Sequence, residues 1–299
     1  MRGFLWAFVL LVGIYAGYSV VRIVSNTAPD FSVYYGVAKN ALAGGRIYGD
    51  PKLFTGYGYP PYSELPYVPL ALLPYQVSQA IWVIGSIIAL IVSVFLSFKL
   101  YYSKVSFQTK TVACALAFLA FPSRFTLGMG QSNLIALLLV LLGVVRGSGI
   151  WWGIAWILKP QLMFIGLLLV WKRQWRTVGV ASLTLLSAVI IAGVLFGWHW
   201  YGQYFSRELT ILMEFRDREI YYNQGIESFV SRVNAKWLSI PFKLIAMMVA
   251  IFSLRKQNFI HALPMSLALL LLLLPLSWQH HFVLLIPAFV FLWYRANKR

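Results

Sequence analysis

Asp30 is the first residue of the chain whose type and position could support catalysis. It is one of eight acidic residues among 299, and it follows the first hydrophobic run directly. A carboxylate at the start of a water-facing loop could act as a general base toward a hydroxyl group. Asp30 also precedes an amphipathic pattern and could be the N-cap of that helix. The two roles do not exclude each other.

Four further groups of polar residues lie at the ends of hydrophobic runs. They are Ser123-Arg124 with Gly130-Gln131-Ser132-Asn133, Lys159-Pro160-Gln161, Asn223-Gln224 with Arg232, and Ser277-Trp278-Gln279-His280-His281. Gln131 and Asn133 could instead cap a helix or bond to a neighbouring helix. Lys159 could extend its side chain to a membrane interface. Otherwise Lys159 needs a partner or a wet cavity, because an unpaired charge inside a membrane is costly.

The adjacent histidines, His280 and His281, do not predict a metal site. Neighbouring residues on a helix point about 100° apart, so they rarely bind one ion together. The chain has a single cysteine, Cys114, and no His-Glu-x-x-His spacing. We therefore expect no metal, and we assign the pair to phosphate binding or proton handling.

Together these residues supply one carboxylate, a few cations and many aromatic rings. Hydrolysis of a glycoside usually needs two carboxylates, because one must protonate a poor leaving group. A sugar carried on a lipid phosphate is less demanding, since the phosphate diester departs as a stable anion. That departure needs cations at the developing charge and one base for the acceptor hydroxyl. Aromatic walls suit sugar faces and an isoprenoid chain, although an interfacial aromatic belt is the better explanation for most of these rings.

The composition places these residues in a membrane protein. Hydrophobic residues make up 60% of the chain and charged residues 11%, and the mean hydropathy is +0.75. These values exclude an ordinary soluble domain. We find no repeat or linker, so residues 1–299 are predicted to form one domain. The net charge of +17 does not indicate nucleic acid as a partner, because the basic residues lie at the ends of apolar runs.

The hydrophobic runs predict an all-α polytopic bundle of about ten spanning or partly spanning helices. Runs 4–24, 78–98, 178–198 and 237–254 are long enough to cross a membrane. Shorter runs are 111–121, 131–145, 150–158, 161–170, 259–274 and 282–294. The first run is interpreted as a retained helix and not as a signal peptide.

The loop charges predict the orientation. The short loops are basic and contain no acid, whereas every acidic residue falls within 25–77 or 199–236. Short basic loops face the cytoplasm. Both termini are therefore predicted to be cytoplasmic, and the two long loops and all the polar groups named above extracytoplasmic.

Two local predictions concern the site. Apolar residues at i, i+3 and i+4 spacing predict an amphipathic helix over 31–43 in the membrane interface, ended by Gly44-Gly45. Residues 150–170 predict either two spans or a re-entrant hairpin that turns at Lys159-Pro160-Gln161. A single helix is disfavoured because it would place Arg146 and Lys172 on opposite sides of the membrane.

The order of the motifs resembles glycosyltransferase family 87, the polyprenyl-phosphate-mannose-dependent enzymes of the GT-C superfamily. The resembling motifs are Asp30-Phe-x-Val-Tyr-Tyr, Ala41-Leu-Ala-Gly-Gly-Arg-Ile-Tyr, Tyr59-Pro-Pro, Leu70-Ala-Leu-Leu-Pro, Gly130-Gln-Ser-Asn-Leu, Leu158-Lys-Pro-Gln, Asn223-Gln-x-x-x-Ser and Ser277-Trp-Gln-His-His. The resemblance implies a GT-C-like bundle, a catalytic Asp30, and a functional histidine at His280 or His281. It also implies a polyprenyl-phosphate sugar as donor, usually mannose and sometimes arabinofuranose, with inversion and no metal or other cofactor.

On this hypothesis Asp30 is the general base toward a lipid-linked or envelope glycan acceptor. Lys159, Arg124 and the two histidines would hold the donor phosphate, and Gln131, Asn133 and Gln161 would position sugar or phosphate oxygens. The remaining candidate binding residues are Tyr34, Tyr35, Asn223, Arg232 and Gln279. The expected partners are membrane lipids, the donor and the acceptor, at the outer face of the cell membrane. A transporter or flippase for a lipid-linked saccharide is the alternative, but we find no repeated halves of the kind that transporters show. An inactive relative that scaffolds a partner is a third possibility.

Overall fold

A computed structural model describes residues 2–50, 57–213 and 220–297, and the regular elements in these ranges are helical. The helices are α1 Arg2–Val24, α2 Pro29–Leu42, α3 Val68–Ala71, α4 Tyr75–Tyr101, α5 Phe107–Leu119, α6 Phe121–Met129, α7 Asn133–Arg146, α8 Gly149–Leu158, α9 Gly166–Trp171, α10 Trp175–Phe196, α11 His199–Gln203, α12 Leu209–Met213, α13 Ile226–Arg232, α14 Ser239–Leu254, α15 Phe259–Leu273 and α16 Ile286–Ala296. Four 3₁₀ segments, Pro61–Tyr67, Pro160–Ile165, Lys236–Leu238 and Gln279–Leu285, and a π-helical segment, Tyr204–Glu208, join them.

Four helices in the described ranges are long and apolar enough to cross a membrane. They are α1, α4, α10, and α14 with its preceding 3₁₀ turn, and they match the four long predicted runs. Helices α5 and α6 meet at a bend of 61° and together could form a fifth span. The other apolar helices have 10–17 residues. The all-helical prediction is thus confirmed, whereas the ten passes and the orientation stay predictions.

The core is built around α4, whose partners α7 and α16 pack along it, while α8 lies between α7 and α10. Small residues permit these close approaches. Gly143 of α7 lies against the ring of Trp152, and a Cβ at Gly149 would lie 2.3 Å from the carbonyl oxygen of Thr177. By contrast, α1 and α14 keep most of their apolar side chains exposed, as lipid-facing helices do.

Residues 149–171 reverse direction near Lys159, as both predicted alternatives, two spans or a re-entrant hairpin, require. Gly149 approaches Thr177 and Gly153 approaches Thr184, so α8 and α10 run in the same direction. The chain must therefore reverse between them, and it does so at Lys159, whose φ of −140° and ψ of 87° end α8. Each arm is shorter than the about 20 residues that a full crossing needs, and the position of Lys159 relative to the membrane stays a prediction.

Helix α2 corrects one interpretation of Asp30. The helix begins at Pro29, the N-cap is Ala28, and no side chain caps it. Asp30 is thus in the first turn and is not the N-cap, because a proline in the first turn starts the helix one residue earlier. Seven of its 14 residues are buried in the protein, so the helix is held along one face by the core. Leu42 is the last helical residue, and Gly44, with φ of +68°, follows the C-cap, as the Gly44-Gly45 signal predicted.

Candidate active site

Gln131 joins three of the candidate residues in one hydrogen-bond network. Its Nε2 donates to Oδ2 of Asp30 over 2.6 Å. Its Oε1 accepts from Nζ of Lys159 at 2.7 Å and from the hydroxyl of Tyr34 at 3.2 Å. Lys159 and Tyr34 can only donate to the amide oxygen, and the Asp30 carboxylate can only accept from the amide nitrogen, so the orientation of the Gln131 amide is fixed. An acid, a cation and an amide that lie 101 and 28 residues apart in sequence are thereby brought together.

A left-handed turn places Gln131. Gly130 has φ of +72°, and a Cβ at this position would lie 2.5 Å from the Cβ of Phe31. Trp82 of α4 donates from Nε1 to the Gly130 carbonyl over 2.9 Å, and the Gln131 amide bonds to the Thr126 carbonyl at 2.9 Å. The turn between α6 and α7 is therefore pressed against the start of α2, where Asp30 lies.

Asp30 is partly exposed, with opposing influences on its carboxyl group. Burial has the largest effect and raises the pKa of Asp30 above its ordinary value. The hydrogen bond from Gln131 and the charge of Lys159 lower this pKa and offset part of the rise. A carboxyl group with a raised pKa is a stronger base than a free one. The partly exposed position leaves the group open to a substrate.

Lys159 is a buried cation with an incomplete set of partners. Its side chain is 2% exposed. Besides Gln131, Nζ donates to the hydroxyl of Tyr59 at 2.8 Å, and it lies 5.2 Å from the centre of that ring. An ammonium group has three donors, so with respect to the described residues one donor is open to a ligand oxygen. The sequence predicted that a buried Lys159 needs a partner, and its partners are the Gln131 amide and the Tyr59 hydroxyl.

A cluster of tyrosines lines this network. The ring of Tyr34 stacks on Tyr67 at 4.8 Å and lies 6.4 Å and 6.1 Å from Tyr57 and Tyr59. We call these four residues the tyrosine cluster. Tyr35 is not part of it, because its hydroxyl bonds to the Leu73 carbonyl on the other side of α2.

The histidine segment, Ser277–His281, is attached to the same turn. The His280 carbonyl accepts from Thr126 Oγ1 at 2.8 Å and from Asn133 Nδ2 at 3.2 Å. Burial lowers the pKa of His280 to about 3, and burial also lowers the pKa of His281. Both rings are therefore neutral and can offer a ligand a hydrogen bond but no charge. Nδ1 of each has no protein partner among the described residues.

Asn223 and Arg232 connect the second long loop to the histidine segment. Asn223 is fully buried, donates to the Pro275 carbonyl at 2.7 Å and accepts from the Ser277 amide at 2.9 Å. Arg232 in turn donates to the Asn223 carbonyl at 2.7 Å. Gln279 is half-buried, and its amide bonds to the Tyr222 carbonyl at 3.0 Å. Asn223 and Arg232 therefore hold the second long loop against the histidine segment.

Two candidate residues lie outside the network. Arg124 is exposed on α6 and donates to the hydroxyl of Tyr15 at 3.4 Å. Gln161 is half-buried in the 3₁₀ segment after Lys159. Within the described ranges, no three His, Cys, Asp or Glu side chains are grouped closely enough to hold a metal ion.

Sequence reasoning named Tyr59 only within the motif Tyr59-Pro-Pro, and it did not single out Tyr67, Trp82 or Glu64. The first three surround the network, and Glu64 is a fully buried acid behind the tyrosine cluster. The aromatic loop gave no periodic signal that could separate these side chains from an interfacial belt. The sequence signal that could have indicated Glu64 is an acidic residue flanked by aromatic and proline residues.

An apolar groove of about 700 Å³ opens between α9, α14 and α15. It is lined by Phe164, Ile165, Leu167, Leu168, Trp171, Met247, Ala250, Ile251, Leu254, Ser266, Leu269, Leu270, Leu273, Leu274 and Pro275. Pro275 is the residue whose carbonyl Asn223 binds, so one end of the groove adjoins the histidine segment. The histidine segment thus connects the end of the groove with the turn that carries Gln131.

Comparisons with known proteins agree with the motifs. A family model described as glycosyltransferase family 87 matches residues 57–299. The polyprenol-phosphate-mannose-dependent alpha-(1-2)-phosphatidylinositol pentamannoside mannosyltransferase of Mycolicibacterium smegmatis is 30% identical, over 95% of this chain and 74% of that protein. No solved structure matches. Asp30 precedes the family match.

Proposed function

Because this chain belongs to glycosyltransferase family 87, we propose that it transfers mannose from a polyprenyl-phosphate donor to a glycan hydroxyl at the extracytoplasmic face. The family and the long apolar helices make it a membrane glycosyltransferase. The name of the mycobacterial relative supports mannose on polyprenol phosphate as the donor and a glycolipid as the acceptor.

The observation that carries the mechanism is the bridge from Asp30 through Gln131 to Lys159. Asp30 accepts the proton of the acceptor hydroxyl. The acceptor oxygen then forms a bond to the anomeric carbon as the bond from that carbon to the phosphate oxygen breaks. The electron pair leaves with the phosphate, and attack opposite to the leaving group inverts the anomeric configuration.

Lys159 stabilises the charge that develops on the departing phosphate, since its third N–H is available and its site excludes most water. The neutral rings of His280 and His281 add uncharged donors near the same place. Arg124, on the exposed face of α6, is positioned to meet an anionic group arriving from the membrane. No proton has to reach the leaving group, which is why one exposed carboxylate is sufficient.

The apolar groove supports a lipid-linked donor. Its walls are hydrocarbon side chains of three helices, and a buried methylene group contributes about 0.8 kcal/mol. An isoprenoid chain in the groove would place its phosphate beside Pro275 and the histidine segment. A nucleotide sugar has no apolar portion that would use such a surface.

The test is transfer by the purified protein. Wild type is incubated with polyprenyl-phosphate mannose and membrane lipids, and the product is identified by mass spectrometry. We expect Asp30→Asn to lower kcat by about 10²–10⁴-fold, the usual contribution of a general base. Glu227→Gln, which removes the same charge from an acid paired with Lys243, is the matched control.

Two results would contradict the proposal. Wild-type rates in folded Asp30→Asn protein would remove Asp30 from catalysis. Faster transfer from polyprenyl-phosphate arabinofuranose than from the mannose donor would replace the proposed sugar.

A further inference from the structure

Glu64 is a fully buried acid whose carboxyl oxygens make no hydrogen bond of standard geometry within the described ranges. It lies in the 3₁₀ segment Pro61–Tyr67, and its side chain is 0% exposed. The buried hydroxyl of Tyr57, which lies close enough to lower the pKa of Glu64, likewise makes no hydrogen bond of standard geometry in these ranges. An unpartnered buried acid is unfavourable, and glutamine has the same shape without the cost of ionisation. The retained carboxyl group therefore requires an explanation.

The groups that face Glu64 are tyrosines. Tyr57 interacts with it most directly, and Tyr48 and Tyr67 also experience its charge. Of the helices packed against the segment, α3 and α8 contain no ionisable residue, and α10 has only Arg176, near its start. Helix α2 contributes Tyr34 and Asp30, and the charge of Asp30 raises the pKa of Tyr67. Burial raises the pKa of Glu64 well above its ordinary value, against the effect of the Tyr57 hydroxyl. The direction of this shift favours the neutral form of Glu64.

The tyrosine cluster connects Glu64 to the active site. The Tyr57 ring lies 5.8 Å from Tyr59 and 6.4 Å from Tyr34. Tyr59 accepts a hydrogen bond from Lys159, and Tyr34 donates one to Gln131. A shift of the Tyr57 ring therefore displaces Tyr59, which holds Lys159, and Tyr34, which holds Gln131. Ionisation of Glu64 would cause such a shift, because an uncompensated buried charge attracts water and cations.

We propose that Glu64 is a positioning residue: its neutral carboxyl group holds the tyrosine cluster in the arrangement that places Lys159 and Gln131 for transfer, and loss of its proton disables that arrangement. The inference rests on the transferase function proposed above. Glu64 does not touch the substrate, since it is fully enclosed.

The first test is the pH dependence of transfer. We expect wild-type kcat to fall as the pH rises through the ionisation of Glu64, and Glu64→Gln to keep the low-pH kcat and lose that fall. Tyr57→Phe should move the fall to higher pH, because the Tyr57 hydroxyl lowers the pKa of Glu64. Glu64→Ala should lower kcat about tenfold to a hundredfold with little change in KM, the effect of a displaced catalytic group. Glu227→Gln is the control that should leave the profile unchanged.

The second test does not depend on activity. A carboxyl group whose pKa is raised in the folded protein has no effect on stability below its unfolded pKa of about 4.3, and it destabilises the fold increasingly as the pH rises above that value. Glu64→Gln should therefore unfold at a higher temperature than wild type at about pH 8 and at the same temperature at about pH 4. A pH-independent difference, or equal pH profiles of kcat in wild type and Glu64→Gln, would overturn the proposal. Failure of wild type to transfer any sugar would refute the proposed function, and the unfolding data would still decide the state of Glu64.

Discussion

Asp30 and Lys159 are held close together without forming a direct ion pair. In a direct salt bridge the carboxylate would be neutralised and the ammonium group would be occupied. Gln131 prevents this because its amide donates to Asp30 and accepts from Lys159. Each charge still stabilises the other through space, which matters for a cation that is 2% exposed. The base and the cation thus both remain available to a substrate.

This arrangement predicts how Lys159 controls the pH profile. The charge of Lys159 lowers the pKa of Asp30, so Lys159→Met should raise that pKa. Asp30 must be ionised to accept a proton, and the acid limb of kcat should therefore move to higher pH. The plateau should also fall by about 10²–10³-fold, as when one transition-state donor is removed. Lys39→Met, on the exposed side of α2, is the control, and an unmoved acid limb in Lys159→Met would contradict the prediction.

Isolated polar residues were the part of the site that could be recognised from sequence. Gln131, Lys159 and the histidine pair stand at the ends of apolar runs, where each polar group requires a partner. Glu64 and Tyr67 could not be recognised, because the loop around them is rich in aromatic residues that recur with no regular spacing. The exposure of Arg124 could not be predicted either, because the sequence does not show which face of α6 packs against the protein.

Among the elements, the turn between α6 and α7 determines the geometry of the site. It carries Gln131 and Asn133, and it contacts α2 through Gly130 and α4 through Trp82. The histidine segment is attached to it by bonds from Thr126 and Asn133. Three regions that are distant in sequence are therefore aligned by one turn.

Gly130→Ala tests the importance of this turn. Its φ of +72° is unfavourable for alanine, and the added Cβ would clash with Phe31. Backbone strain of this kind costs about 1–3 kcal/mol, and the clash adds to it. We expect a lower unfolding temperature in detergent and a loss of transfer beyond the loss of folded protein. Gly128→Ala, at an exposed helical position with open space around it, should behave like wild type; equal behaviour of both variants would contradict the prediction.

Helix prediction succeeded where length and apolar content were decisive. The four long runs are helices within three residues of their predicted ends. The N-cap interpretation of Asp30 was wrong because Pro29 begins α2. The parallel packing of α8 and α10 could not be predicted, because small residues such as Gly149 and Gly153 allow close packing without specifying a partner helix; the choice between two spans and a re-entrant hairpin stays open.

At the scale of the whole molecule, exposure and charge are arranged as in a protein surrounded by lipid. The long helices α1 and α14 present Phe4, Leu10, Ile240 and Phe252 to the outside, which would be costly in water. Acidic residues are confined to the two long loops, and the short loops are basic. If short basic loops are cytoplasmic, the network around Asp30 opens to the opposite side.

Labelling of single cysteines would test this orientation. The only native cysteine, Cys114, is buried, so the background from it should be low and Cys114→Ala can remove it. Lys39 on α2 and Lys256 in a short basic loop are both exposed. An impermeant maleimide should label Lys39→Cys in intact cells and Lys256→Cys only after the membrane is opened. The reverse pattern would place Asp30 on the cytoplasmic side, and a donor presented at the outer face could then not reach it.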